Sequence, residues 1–217
     1  MIIKLDPENI SSRDQIILIA LDLFGQRGYS NVSIRQVCTQ AKVNVAAVNY
    51  HFGSKDKLYI AVADYVSSQL MQHLNADIEA ANAVLEDTNN QGAQALEVLL
   101  HIVENTVDLL VPDSEESERW ARFITRFQLG EAVPDHALLK NPMLHIIAQL
   151  IGVIKNNNTD TLENAILAQT IMGQVLIFRV SRVSAMINLN IDGFGQAETE
   201  KIKHVIRQNI ITILTLG

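Results

Sequence analysis

Cysteine is nearly missing: Cys38 is the single one in 217 residues. That excludes an intrachain disulfide framework and a cysteine-built zinc site. Helix breakers are also scarce, with four prolines and ten glycines. Long apolar runs are absent, since the longest uncharged stretch, 164–178, is 15 residues and contains Asn, Gln and Thr. A spanning helix needs roughly 20 apolar residues, so no membrane-embedded segment is expected. The opening Met1-Ile-Ile-Lys-Leu-Asp-Pro7 brings acid and proline too early for a secretory signal, and the expected compartment is the cytoplasm. There is no nucleophile elbow, phosphate loop or H-E-x-x-H spacing, and histidines 73, 101, 136, 145 and 204 are scattered. No catalytic residue, no metal and no cofactor are therefore assigned, and an enzyme is not expected.

What the chain does have is apolar residues, 48% of the total, and a net charge of -7. The length fits one or two domains with an ample core. The charge is uneven. Residues 1–58 carry seven Lys/Arg against five Asp/Glu, whereas the remainder carries ten against nineteen. Any polyanion would meet the N-terminal head rather than the acidic body.

The apolar positions repeat at helical spacing. Ile16, Ile19, Ala20, Leu23 and Phe24 form one stripe over a helix from Ser12 to Arg27, which Gly28 closes with a left-handed cap. Ser33-Ile-Arg-Gln36 reads as a capping box opening a second helix through Ala41. Lys42-Val43-Asn44 is a short link, and Asn44 caps a brief third helix from Val45 to Phe52. Gly53 stops that helix, and Ser54 caps the next, which starts at Lys55 and reads as one long connector towards Leu85. Further helices are expected near 96–107, 117–129, 143–155, 162–189 and 198–216. There is no alternating strand pattern and no internal repeat. The expected fold is all-α, with an N-terminal three-helix domain over 10–70 and a larger helical domain over 71–217.

Three short helices with a three-residue link between the second and third meet the requirements of a helix-turn-helix over 33–52. Val45, Val48 and Phe52 are expected to pack inward. Ala46 and Ala47 then let the backbone approach a groove, Asn49 offers donor and acceptor to base edges, and Tyr50 and His51 reach phosphates. Lys55 adds a cation beside helix N-terminal amides, where an anion is favoured. On composition alone, a DNA-reading face and a plain solvated face are equally good readings.

Residues 12–58 resemble the DNA-binding domain of the TetR family of bacterial transcription regulators. The likeness rests on Ala20-Leu-Asp-Leu-Phe24, Gly28-Tyr29, Ser33-Ile-Arg-Gln-Val37, Val43-Asn44 and Val48-Asn-Tyr-His-Phe-Gly-Ser-Lys55. A shorter match, Arg122-Phe-Ile-Thr-Arg-Phe-Gln128 with Asn141-Pro-Met143, is similar to the branch containing CecR-like regulators. The resemblance implies a two-domain homodimer whose heads read double-stranded DNA at a palindromic operator and whose body binds a small-molecule effector. It implies that Ser33 and Asn44 cap helices and touch phosphate, and that Arg35, Val45, Ala46, Ala47 and Asn49 lie near base edges. Tyr50, His51 and Lys55 would grip the backbone. Lys42 stands where the family usually has glycine, and Asn49 where tyrosine is commonest.

Other groups carry two readings. Cys38 is expected to be structural filler, since nothing nearby in sequence would lower its pKa. Trp120, Phe123, Arg126, Phe127 and Met172 are candidates for an effector pocket. The plainer reading pairs Arg119, Arg122 and Arg126 with Glu115, Glu116 and Glu118 and leaves the aromatics in a core. Ala165, Met172, Val183, Ile202, Ile206, Ile210 and Ile213 form stripes on the last helices that complete one core or meet a second subunit; the family resemblance assigns them to a dimer interface. The expected function is a ligand-responsive, sequence-specific DNA-binding regulator, in first place a repressor. An activator or dual regulator of the same fold, a helical enzyme and an interaction protein are the alternatives.

Overall fold

The computed structural model describes residues 11–87, 92–113, 115–128, 142–157 and 161–215. Among them every regular element is a helix: α1 (Ser12–Arg27), α2 (Ile34–Ala41), α3 (Val45–Phe52), α4 (Lys55–His73), α5 (Asn75–Glu86), α6 (Gly92–Leu110), α7 (Glu115–Gln128), α8 (Pro142–Ile154), α9 (Leu162–Val180), α10 (Arg182–Leu189) and α11 (Gln196–Thr215). The chain divides into two compact units. One holds α1 to α3, α4 up to Gln69, and α7 from Arg119 onward; the other holds the rest. A cut near residue 70 is thus joined by a return of the chain, through α7, to the N-terminal unit.

In the N-terminal unit, Ile16, Ile17, Ala20, Leu21 and Phe24 of α1 are buried, as are Val37 of α2, Val48 of α3 and Leu58, Tyr59 and Val62 of α4, and the Phe24 ring lies 5.0 Å edge-on from that of Tyr59. Local chemistry fixes the ends. Ser11 caps α1 by accepting from the Asp14 amide at 3.1 Å. At the other end Gly28 has φ 77 and ψ 161 and donates its N–H to the Phe24 carbonyl. That is a positive-φ extended backbone open essentially to glycine alone, rather than the left-handed helical cap expected. Cys38 is buried in α2, and burial pushes its thiol pKa up, which keeps it in the unreactive protonated form.

In the second unit, α6 shows Leu99, Ile102, Val103, Thr106, Val107 and Leu110 on one buried stripe. Leu99, Ile102, Val103 and Val107 share one core with Ile147, Leu150 and Ile151 of α8, Ala168, Ile171, Met172 and Val175 of α9, and Ile202, Ile206 and Ile210 of α11. Polar rungs tie α11 to α6: Lys203 pairs with Asp108 at 3.0 Å, and Arg207 pairs with Glu104 at 2.9 Å and Glu97 at 3.0 Å.

Two expected long helices are broken. The connector from Lys55 turns at Leu74, which is buried and carries no side-chain cap. The helix expected over 162–189 bends by 85° between α9 and α10. Here the cause is tertiary. Arg182 donates to the Val111 carbonyl at 2.9 Å and to the Asp113 carboxylate, and its guanidinium lies 4.6 Å from the Phe194 ring centroid. Asp113 also accepts from the Phe194 amide at 2.9 Å. No single helix among the described residues is long and apolar enough to cross a membrane.

Candidate nucleic-acid interface

The helix-turn-helix is built from capped pieces. Ser33 accepts from the Gln36 amide at 3.3 Å, and Gln36 Oε1 accepts from the Ser33 amide at 2.7 Å, a reciprocal capping box. Asn44 Oδ1 accepts from the Ala47 amide at 2.8 Å, which starts α3. Between them α2 ends with the Val43 amide donating to the Cys38 carbonyl at 3.0 Å. That closure puts Lys42 in the left-handed region, at φ 54 and ψ 37.

A side chain there costs about 1–2 kcal/mol, so Lys42→Gly is expected to raise the stability of the N-terminal unit by about 1 kcal/mol in urea unfolding. An unchanged or lower midpoint would mean that the Lys42 side chain stabilises the link in another way.

Val48 and Phe52, 1% and 7% exposed, anchor α3, with the Arg13 guanidinium 5.5 Å from the Phe52 ring centroid. Val45 departs from expectation. It does not pack inward with them but is 42% exposed, because it opens the helix on its outer side. Ala46 and Asn49 are exposed, Ala47 is half-buried, and Tyr50 is 84% exposed. His51 is half-buried, its ring 5.2 Å from that of Tyr50. Arg35, Lys42, Ser33 and Asn44 are exposed around this face. Lys55, in contrast, is half-buried: its Nζ lies 4.1 Å from the Tyr29 ring centroid, and the Tyr29 hydroxyl donates to Asp56. Sequence reasoning gave Tyr29 and Asp56 no part in the DNA-contacting site; only the fold brings them to Lys55.

The residues expected to line an effector pocket divide between the two units. Phe123 and Phe127 lie 5.3 and 6.1 Å from the Tyr59 ring. Arg126 donates to the carbonyls of Gly25 at 2.9 Å and Gln26 at 3.1 Å. Trp120 is buried in the same helix, α7. These four residues belong to the N-terminal unit, while Met172 lies in the core of the other. Arg119 is bidentate to Asp22, at 2.7 and 2.8 Å, rather than held only by its own helix's glutamates. The residues of the expected dimer stripe differ in burial. Met172, Ile202, Ile206 and Ile210 are 7%, 7%, 3% and 0% exposed, filling their own subunit's core. Ala165, Val183 and Ile213 are exposed.

A helix-turn-helix with its second helix presented outward, joined to a larger all-helical body, defines a DNA-binding regulator of transcription. Residues 16–62 match the bacterial regulatory proteins of the tetR family, and residues 95–215 match the C-terminal domain of the HTH-type transcriptional dual regulator CecR. The chain belongs to the TetR family of ligand-responsive, DNA-binding transcriptional regulators, with a C-terminal domain of the CecR type. It is 25% identical over 206 residues to the dual regulator CecR of Shigella flexneri, covering 94% of this chain and 91% of the relative. The regulator BetI of Brucella suis biovar 1 is 38% identical over 71 residues, covering 33% of this chain and 36% of its own. Among solved structures, a transcriptional regulator from Rhodococcus sp. RHA1 has a TM-score of 0.63 at 18% identity, covering 93% and 97% of the two chains. AibR, crystallised with isovaleryl coenzyme A and operator DNA, has a TM-score of 0.61 at 15% identity, covering 92% and 97%.

Proposed function

We propose that the protein is a homodimeric repressor that holds a palindromic operator through α3 and releases it when a small molecule binds the body. The observation that carries the reading is the outer face of α3, where Ala46, Asn49 and Tyr50 are exposed on a helix pinned by Val48 and Phe52. An eight-residue helix is about 12 Å long, and the major groove is about 12 Å wide. Asn49 reads a base edge, Arg35 and Ala46 lie beside it, and Tyr50, His51, Lys42 and Lys55 meet phosphates. Ser33 and Asn44 bring their capped helix ends to the same strand. AibR was crystallised with both a coenzyme A thioester and operator DNA, which supports a body that takes an effector. A protein that binds an operator works in the cytoplasm, which is the compartment this reading takes.

The homodimer reading is supported by apolar side chains left uncovered on the last helices. Ile166, Ile177 and Val180 of α9 are 54%, 50% and 40% exposed, Val183 and Ile187 of α10 are 71% and 72%, and Val205 of α11 is 56%. A second copy of the same face would cover them with two-fold symmetry.

A footprint on the DNA upstream of the gene, with salt varied, tests the reading. Two protected half-sites are expected, with a steep fall of affinity with salt. Asn49→Ala is expected to cost about 1–3 kcal/mol of discrimination at one base pair of each half-site, and Lys42→Gly to lower the salt slope by about one. Binding without sequence preference, or no steeper in salt than one or two phosphate contacts, would sink the proposal. A dual regulator is the second reading, because the relative that covers nearly the whole chain bears that description. Half-sites lying wholly upstream of the promoter, rather than across it, would favour it.

A further inference from the structure

Lys55 opens α4, and its ammonium does not hang free: Nζ lies 4.1 Å from the centroid of the Tyr29 ring. The ring's quadrupole attracts the cation. The ring itself is fixed at both ends. Its hydroxyl donates to the Asp56 carboxylate, and its body lies 6.1 Å from the Phe24 ring and 5.0 Å edge-on from Tyr59, both 1% exposed. Burial and Asp56 push the Tyr29 hydroxyl pKa up to about 12, so it stays a donor at any physiological pH. Burial also lowers the Lys55 pKa, as befits an ammonium partly withdrawn from water. At the same helix start, Ser54 Oγ accepts from the Lys57 amide at 3.2 Å, leaving the Lys55 and Asp56 amides for an incoming anion.

Asp56 is the odd member. A carboxylate in the first turn suits the helix dipole, yet by charge alone it opposes a phosphate at the same place. We propose that Tyr29 and Asp56 are positioning residues for DNA binding: Asp56 holds the Tyr29 ring, and the ring seats the Lys55 ammonium beside the α4 N-terminus before DNA arrives. The phosphate then meets a preset cation. A mobile lysine loses rotamer freedom on gripping a phosphate, and a seated one loses less. This rests on reading the starts of α3 and α4 as the DNA-contacting surface.

The test uses the full-length protein and a short duplex of arbitrary sequence, since a phosphate contact carries no sequence information. Lys55→Ala is expected to weaken binding about tenfold and to lower the log–log salt slope by about one. Tyr29→Leu should do nearly the same, and the double variant should bind no more weakly than Lys55→Ala alone. Tyr29→Phe keeps the ring, loses the tie to Asp56, and should fall between, with near-native thermal unfolding. The discriminating variant is Asp56→Ala. Charge alone makes it bind more tightly; the seated-lysine arrangement makes it bind several-fold more weakly. Tighter binding by Asp56→Ala, or Tyr29→Leu and Lys55→Ala effects that multiply, would overturn the proposal. In the free protein the Lys55 methylenes should show an upfield ring-current shift that Tyr29→Leu removes; an unshifted Lys55 likewise overturns it, without bearing on whether the protein reads an operator. Failure of the wild type to bind any duplex at low salt overturns both readings.

Discussion

Phe123→Ala is expected to cost the N-terminal unit about 3–5 kcal/mol, although Phe123 stands far along the chain from the recognition helix. The side chain is 2% exposed, and its ring lies 5.3 Å from Tyr59 and 5.9 Å from Phe127. Tyr59 is itself 1% exposed and is edge-on to Phe24 of α1, so removing the Phe123 ring opens a cavity against the centre of the unit. The approach of α7 is close because α1 carries glycine where they cross. A Cβ on Gly25 would sit 3.3 Å from both the Arg122 Cβ and the Phe123 amide nitrogen. Polar contacts then fix the register. Arg119 grips Asp22 with two bonds, and Arg126 takes up the Gly25 and Gln26 carbonyls in the last turn of α1, where intrahelical donors run out.

Hydrogen exchange is the measurement suited to a chain of two units, because a single unfolding midpoint would mix them. Amides of α1 to α3 should lose protection together with those of α7 in the Phe123→Ala protein. If only α7 loses protection, the three-helix head stands by itself and α7 is an accessory.

What was legible in the sequence was what neighbours in sequence decide. The bounds of α1, the Ser33–Gln36 capping box and the Asn44 cap follow from residues three or four apart, and each is present. The outward face of α3 was legible for Asn49 and Tyr50 but not for Val45, since an apolar residue in a first turn has no periodicity to place it. The bend at Ser181 was not legible. No glycine or proline marks it, and its cause is Arg182 reaching Val111 and Asp113, some 70 residues away. The aromatic face of α7 was legible as buried but not as to which unit buries it; the glycine inside α1 was the available signal. The stripes of α9 and α11 could be read as apolar, but sequence alone does not say which side meets the subunit's own core.

Gly173→Leu is expected to act with opposite signs on the subunit and on the proposed dimer. Gly173 lies in the middle of α9, where glycine costs about 1 kcal/mol relative to a good helix former, and nothing lies within 4 Å of where its Cβ would be. The subunit alone thus gives no reason for glycine, and a larger residue should stabilise it. The reason lies in what surrounds the position. Ile166, Ile177 and Val180 are exposed on the same face, and the Asn209 amide of α11 donates to Gln174 at 2.9 Å, bracing the two helices. If a second copy crosses at this point, leucine overpacks the contact by about 1–3 kcal/mol. A two-fold axis repeats that cost, so the dimer is expected to weaken by about 2–6 kcal/mol, on the order of 10¹- to 10⁴-fold. Mass measurement at low protein concentration should then show monomers whose helical signal melts no lower than the wild type's. Binding to a two-half-site operator should fall with them, since each head would hold its half-site alone. A Gly173→Leu protein that melts higher yet stays dimeric would move the crossing off α9. The uncovered Val183 and Ile187 of α10 would then be the face to test.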